Sequence, residues 1–140
     1  MTQALNKGGG VDLLDMRVTL THANHSSSYN GTYTGESCGF VIELDGGPTM
    51  YIAGDTNVFT DMQLIGRIYA PDVAVLPIGD HFTMGPREAA VAAELVGAGR
   101  IVASHYATFP LLAGTPEALR ELLPAGVELL APAPGETLEL

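Results

Sequence analysis

Tyr51-Ile52-Ala53-Gly54-Asp55-Thr56 is an apolar run that ends in a glycine, then a carboxylate, then a small hydroxyl. A strand that leaves a buried sheet and delivers one acid to the loop at its C-terminal end has this form. The residues before it set its neighbour. Cys38-Gly39-Phe40-Val41-Ile42-Glu43-Leu44 reads as a strand, and Asp45-Gly46-Gly47-Pro48 is a turn whose glycines accept positive φ. Residues 49–53 are then the returning strand of an antiparallel pair that ends at Asp55.

Upstream, residues 16–21 alternate and are rich in β-branched side chains, which predicts a strand running into His22-Ala23-Asn24-His25. Residues 26–36 are mostly Ser, Tyr, Asn, Gly and Thr and read as a polar loop over a site or a partner surface. Residues 1–15 show no capped first element. Asn6 to Gly10 is a flexible or tight-turn segment, and residues 11–15 are too short to fold alone.

Downstream, Met62, Ile65 and Ile68 recur at helical spacing, which predicts a helix over 60–69 capped by Thr60 or Asp61. Residues 71–77 are a short continuous apolar run, as in a central strand, and lead into Ile78-Gly79-Asp80-His81. Pro86 suits the first turn of a helix that runs to about Val96, with Gly97 and Gly99 to end it. Residues 100–104 are a strand followed by His105. Thr115 caps a third helix through Leu123, with Pro116 at its first position. Residues 127–130 are a strand, 132–135 a turn and 137–140 a last short strand. Antiparallel strands followed by β-α alternation give an α/β (α+β mixed) fold, with a mixed sheet and helices on at least one face.

A chain of 140 residues, 46% hydrophobic and 16% charged, is long and apolar enough for one folded domain spanning 1–140. No apolar run approaches the ~20 residues needed to span a bilayer, so no membrane role is expected. The first residues lack the apolar core of a signal peptide, and the lone Cys38 excludes an internal disulfide. The expected compartment is the cytoplasm. The net charge is −10, and Lys7, Arg17, Arg67, Arg87, Arg100 and Arg120 are scattered along the chain. Phosphate backbones are bound by clustered cations, so a nucleic-acid partner is not expected.

His25, Asp55, His81 and His105 all follow strands, and in sheets of this kind ligands collect beyond strand ends. Neutral imidazole and carboxylate ligate zinc, and also manganese or iron. His25, Asp55 and His105 would be three protein ligands from three strand mouths. An open position on such an ion brings the pKa of bound water toward ~7. Spacing adds little: His22 and His25 lie three apart, and neither an HxH nor an HExxH pair is present. Each histidine could instead be a surface or hydrogen-bonded residue, Asp55 a turn-forming Asx residue and Cys38 a small core residue.

Four segments occur in order: Ala23-Asn24-His25-Ser26-Ser27, Ala53-Gly54-Asp55-Thr56, Pro77-Ile78-Gly79-Asp80-His81-Phe82-Thr83-Met84-Gly85-Pro86 and Ala103-Ser104-His105-Tyr106-Ala107-Thr108-Phe109-Pro110. Together they resemble the metal-dependent hydrolases of the metallo-β-lactamase superfamily, of the UPF0173 type. Ascorbate-phosphate lactonase and N-acyl-ethanolamine phospholipase D are more distant relatives of that group. The resemblance covers roughly residues 5–140. It implies half of an αββα sandwich, a mixed sheet with helices on one face. It also implies a divalent metal, zinc first, with manganese or iron as the other ions. His25 resembles the third histidine of the first metal site, Asp55 the carboxylate that bridges two metals, and His105 the late histidine of the second site. Asp55 would then also serve catalysis. His81 resembles a catalytic pocket residue that approaches metals and substrate; a cap or packing contact for the helix at Pro86 is the other reading. His22 could replace His25, but the match sets the ligand directly before the serines. Residues 26–28 would line the pocket or form a solvated loop. The implied activity is attack by metal-bound hydroxide on an ester, lactone, amide or phosphodiester of a small molecule.

The chain departs from that family in one respect: the HxHxDH segment, which supplies two histidines to one metal and an aspartate to the other, is absent. The chain therefore reads as the C-terminal half of the family domain. The surviving ligands would be one for the first metal, one for the second and a bridge, short of the three protein ligands that a catalytic zinc usually takes on one ion. The missing half-sheet would leave an apolar surface uncovered. The expected partners are a separate N-terminal half-domain chain or a second copy in a homo-oligomer, besides the small-molecule substrate. The isolated chain is expected to be weak or inactive. The alternative is a non-catalytic half-domain, an interaction module or a truncated remnant.

Overall fold

The computed structural model describes residues 4–140. The reading of an uncapped opening therefore lies, at residues 1–3, outside the described residues. The elements run β1 (Gly10–Leu13), β2 (Met16–His22), β3 (Ser28–Tyr29), β4 (Thr32–Tyr33), β5 (Cys38–Leu44), β6 (Thr49–Ile52), α1 (Met62–Tyr69), β7 (Val73–Pro77), α2 (Pro86–Val96), β8 (Arg100–Ser104), α3 (Pro116–Arg120) and β9 (Glu128–Leu130). Seven of the strands form one sheet in the order β1-β2-β5-β6-β7-β8-β9. The first three pairings are antiparallel and the last three parallel. The short β3-β4 pair stands apart.

All three helices lie on one face of the sheet. Register aligns Val41, Tyr51, Ala74 and Ile101 in one cross-strand row on that face. Met62 and Ile65 of α1, the alanines and Val96 of α2, and Leu119 of α3 pack against it as one buried cluster. Alanine at Ala89, Ala90, Ala92 and Ala93 lets α2 sit close to the strands, where its buried face contributes by area and close packing. Tyr51 is the largest buried side chain. Burial pushes its hydroxyl well above the usual tyrosine range, against a small lowering by Thr21, so it stays neutral.

The opposite face carries no helix among the described residues. Leu20, Phe40, Ile52, Val75, Val102 and Leu130 are register partners in sequence, an unbroken apolar row across six strands. Five of them are half-buried and Phe40 is exposed. Val11, Val18, Ile42 and Met50 make a second row beside it, all half-buried. An apolar area this continuous marks a surface built to be covered.

The structure differs from the sequence reading at several places. Residues 10–13 form the edge strand β1, held by Leu20 N donating to Gly9 O and Gly8 N donating to Leu20 O. The polar loop at 26–36 contains the β3-β4 hairpin, which turns on Asn30 and Gly31 at φ +49° and +77°. This is the Asn-Gly turn that matches strand twist. Asp61 occupies the N-cap of α1 without a side-chain cap bond. α3 ends at Arg120, three residues short of Leu123, and Pro124 follows soon after. Residues 137–140 are not a strand: among the described residues β8 is the one partner of β9 and no further strand extends that edge. Cys38 starts β5 half-buried and stands outside the core cluster. The other elements lie where the sequence places them, including Pro86 at the first turn of α2, Gly97 as its left-handed cap and Thr115 accepting from Ala118 N.

Candidate functional site

Strand polarity decides which loops meet. β7 and β8 run parallel to β6, so the loops after all three emerge at one edge of the sheet. β2 is antiparallel to β5 and β5 to β6, which makes β2 parallel to β6 and brings its C-terminal end to the same edge. Asp55, His81, His105 and the His22–His25 segment therefore share one rim.

Asp55 reaches that rim through Gly54, which turns at φ +69° with the Cys38 carbonyl where a Cβ would sit. Two backbone approaches seat His105. A Cβ on Gly79 would run into the His105 carbonyl, and one on Gly114 into that of Ile78. Ile78 N donates to Ser104 O at 3.0 Å and Gly114 N to Gly79 O at 3.1 Å. In this junction His105 Nε2 stands 3.8 Å from Asp55 Oδ2. That exceeds hydrogen-bond length. Two tetrahedral ligands about 2.0–2.2 Å from a shared zinc stand roughly 3.3–3.6 Å apart, so the pair lies close to, but slightly wider than, the spacing of two ligands to one ion. His105 Nδ1 is buried and has no partner among the described residues.

The backbone here is held in sparsely populated regions. Asp80, His81, His105 and Ala107 all have positive φ, between +53° and +65°. Non-glycine residues there cost about 1–3 kcal/mol each and persist where their surroundings hold them, often at functional sites.

His25 does not join the pair. Its Nδ1 lies 2.6 Å from Ser26 O and its Nε2 3.1 Å from Phe82 O, so both ring nitrogens face carbonyls. In that pose both ring nitrogens are taken up by carbonyls and neither is free for a metal. It ties its own loop to the loop after β7 instead. His81 is exposed; its N–H donates to Asp80 Oδ1 at 2.7 Å, and its ring packs edge-on against Phe82 at 4.4 Å. His22 lies edge-on to Phe59 at 5.2 Å and 3.4 Å from Lys7 Nζ. Ser26 and Ser28 are exposed, and Ser27 Oγ bonds Thr34 Oγ1 within the hairpin. No group of three or more His, Cys, Asp and Glu side chains among the described residues is arranged to hold a metal ion. The donor set suits a divalent cation, but the gathered part of it is Asp55 with His105.

Sequence reasoning passed over Thr56. It is fully buried, accepts from Asn24 N at 2.9 Å and donates to Asn57 O at 2.8 Å. Its carbonyl accepts from Met84 N at 3.2 Å. One residue thus clips the loop carrying His25, the loop carrying Asp55 and the loop carrying His81. The signal was a hydroxyl directly after the acid at a strand exit. Thr56→Val keeps the shape and leaves the Asn24 N–H without its acceptor. The expected cost is about 1–3 kcal/mol, read as a lower urea midpoint at unchanged slope.

Among the described residues no helix is long and apolar enough to cross a membrane. Residues 1–106 match the family model described as Beta-lactamase superfamily domain. A UPF0173 metal-dependent hydrolase from Chloroflexus aurantiacus is 50% identical over 140 residues, across 95% of this chain and 58% of that protein. Another from Korarchaeum cryptofilum is 49% identical over 138 residues, across 96% of this chain and 60% of that protein. The structure of Igni18, a metallo hydrolase from Ignicoccus hospitalis, superposes with a TM-score of 0.85 at 38% identity, over 97% of this chain and 59% of that one. The chain thus spans under two thirds of the length of the relatives it matches.

Proposed function

We propose, on the premise that this chain belongs to the β-lactamase superfamily, that it carries the Asp55–His105 part of a metal-dependent hydrolase site. The observation that carries the reading is the 3.8 Å pairing of His105 Nε2 with Asp55 Oδ2 at the common rim of four strand ends. Zinc is the first ion to test, with manganese and iron next, since imidazole and carboxylate serve all three. A bound divalent cation would supply water activated at neutral pH and stabilisation of developing negative charge. Asp55 and His105 would hold it. His25 would become a third ligand only by turning off the Ser26 and Phe82 carbonyls. His81 stands on the loop facing the same rim, where it would contact substrate. The substrate is a small molecule with an ester, lactone, amide or phosphodiester bond.

Completion of the site calls for the part of the relatives that this chain does not span. The apolar sheet face supports a covering layer of that kind. It also supports a second reading, an interaction module without chemistry, in which the same face binds a partner and the rim is inert. One experiment separates the two. The chain is mixed with the remainder of the Chloroflexus relative, loaded with zinc, and assayed for metal content and ester hydrolysis. About one or two retained ions per complex with turnover is the expected result. A stable complex with neither metal nor turnover would leave the interaction module.

A further inference from the structure

Beside the Asp55–His105 pair lies a cavity of about 450 Å³, within the ordinary size of a small-molecule site. One wall is the loop at 105–108 after β8, and the other is Ala131-Pro132-Ala133-Pro134 after β9. His105 belongs both to this wall and to the pairing with Asp55. The second wall is stiff. Its prolines fix φ, Ala133 N donates to Glu136 Oε2 at 2.8 Å, and Glu136 N donates back to Ala133 O at 2.9 Å. The first wall holds His105 and Ala107 at φ +53° and +59°. Two strained residues in one wall beside a candidate ligand point to a surface kept for binding.

The chemistry of the lining is specific. No lysine, arginine or carboxylate lines the cavity, and its surface is mostly apolar, with His105, Tyr106 and Thr108 as polar groups. The six cations of the chain all lie elsewhere, in a protein of net charge −10. A phosphoryl or carboxylate group placed here would meet no guanidinium or ammonium in the lining. The overall charge would repel it as well.

We infer that this cavity seats an uncharged, mainly apolar portion of the substrate beside the reacting bond. The assignment rests on the hydrolase reading above. The test is a binding measurement without turnover. The metal-free 140-residue chain, labelled with ¹⁵N, is titrated with phenyl acetate and with phenyl phosphate. Phenyl acetate is expected to shift the amides of Tyr106, Ala107, Thr108, Ala131 and Ala133 saturably, with phenyl phosphate at least tenfold weaker. Ala133→Trp fills the cavity and is expected to remove those shifts. Thr108→Arg, at an exposed position, adds a cation at the mouth and is expected to move the preference toward phenyl phosphate. Equal binding of the two probes, or phenyl acetate binding undiminished in Ala133→Trp, would overturn the assignment. Its failure is distinguishable from that of the hydrolase reading. Ester seated in the cavity without metal retention in the reconstituted complex would remove the hydrolase and leave the cavity; retained metal without ester binding would do the reverse.

Discussion

Asp55→Ala is expected to abolish hydrolysis by the reconstituted complex, by about a thousandfold or more, while the fold stays intact. A thousandfold is about 4 kcal/mol of barrier, within the range of the charge stabilisation that a catalytic ion supplies. Stability and chemistry separate cleanly at this residue. The Asp55 side chain is 54% exposed, and its one ionisable partner within ion-pair range among the described residues is His105 at 3.8 Å. Truncation there should move stability by no more than about 0.5 kcal/mol. His105→Ala is expected to lose the same activity with a larger stability change, because its side chain is 24% exposed and its Nδ1 is buried. Metal analysis, turnover and thermal unfolding of the two variants together provide the check. Full metal and turnover retained in both would remove Asp55 and His105 from the site.

The second large effect is expected on the open sheet face. Val75 is near the middle of the apolar row from Leu20 to Leu130 and half-buried in the chain as it stands. Val75→Glu leaves the charge in water when the face is free, so the chain alone should fold nearly as before. Under a covering layer the same carboxylate is buried without a partner, which costs about 3–5 kcal/mol. That weakens association by about a hundredfold to a few thousandfold. Sedimentation velocity, with and without the complementing segment, reads it directly: the native chain is expected to form dimers or the complex, and Val75→Glu a monomer. A native chain that stays monomeric at high concentration and ignores the complement would show that this face has neither partner.

Most of the fold was legible because its local signals agree with each other. The turn at Asp45-Gly46-Gly47-Pro48 forces the β5-β6 pairing, and the prolines at Pro86 and Pro116 fix two helix starts. The missed elements depend on neighbours, not propensity. β1 contains Gly10, a poor strand former, yet a Cβ there would press on the side chains of Arg17 and Thr19 in β2. The alternation at 137–140 looked like a strand, but a strand needs an edge to join, and none receives it. The same division holds at the rim. Strand-end positions of Asp55, His81 and His105 follow from the order of elements. The pose of His25 does not, because it depends on two carbonyls, one of them 57 residues away. Nor does the role of Thr56, whose partners come from three loops.

The junction at Gly79, His105 and Gly114 is main chain against main chain. Its geometry is therefore set mainly by the glycines and the backbone hydrogen bonds. Ala131 and Ala133 line the neighbouring cavity without sharing in that contact. Exchanges at those alanines can reshape what the cavity admits while the spacing of the reactive pair is kept. Such a separation makes the scaffold a suitable starting point for directed evolution: a library confined to the two alanines explores new specificities, whereas one that touches either glycine mostly samples broken sites.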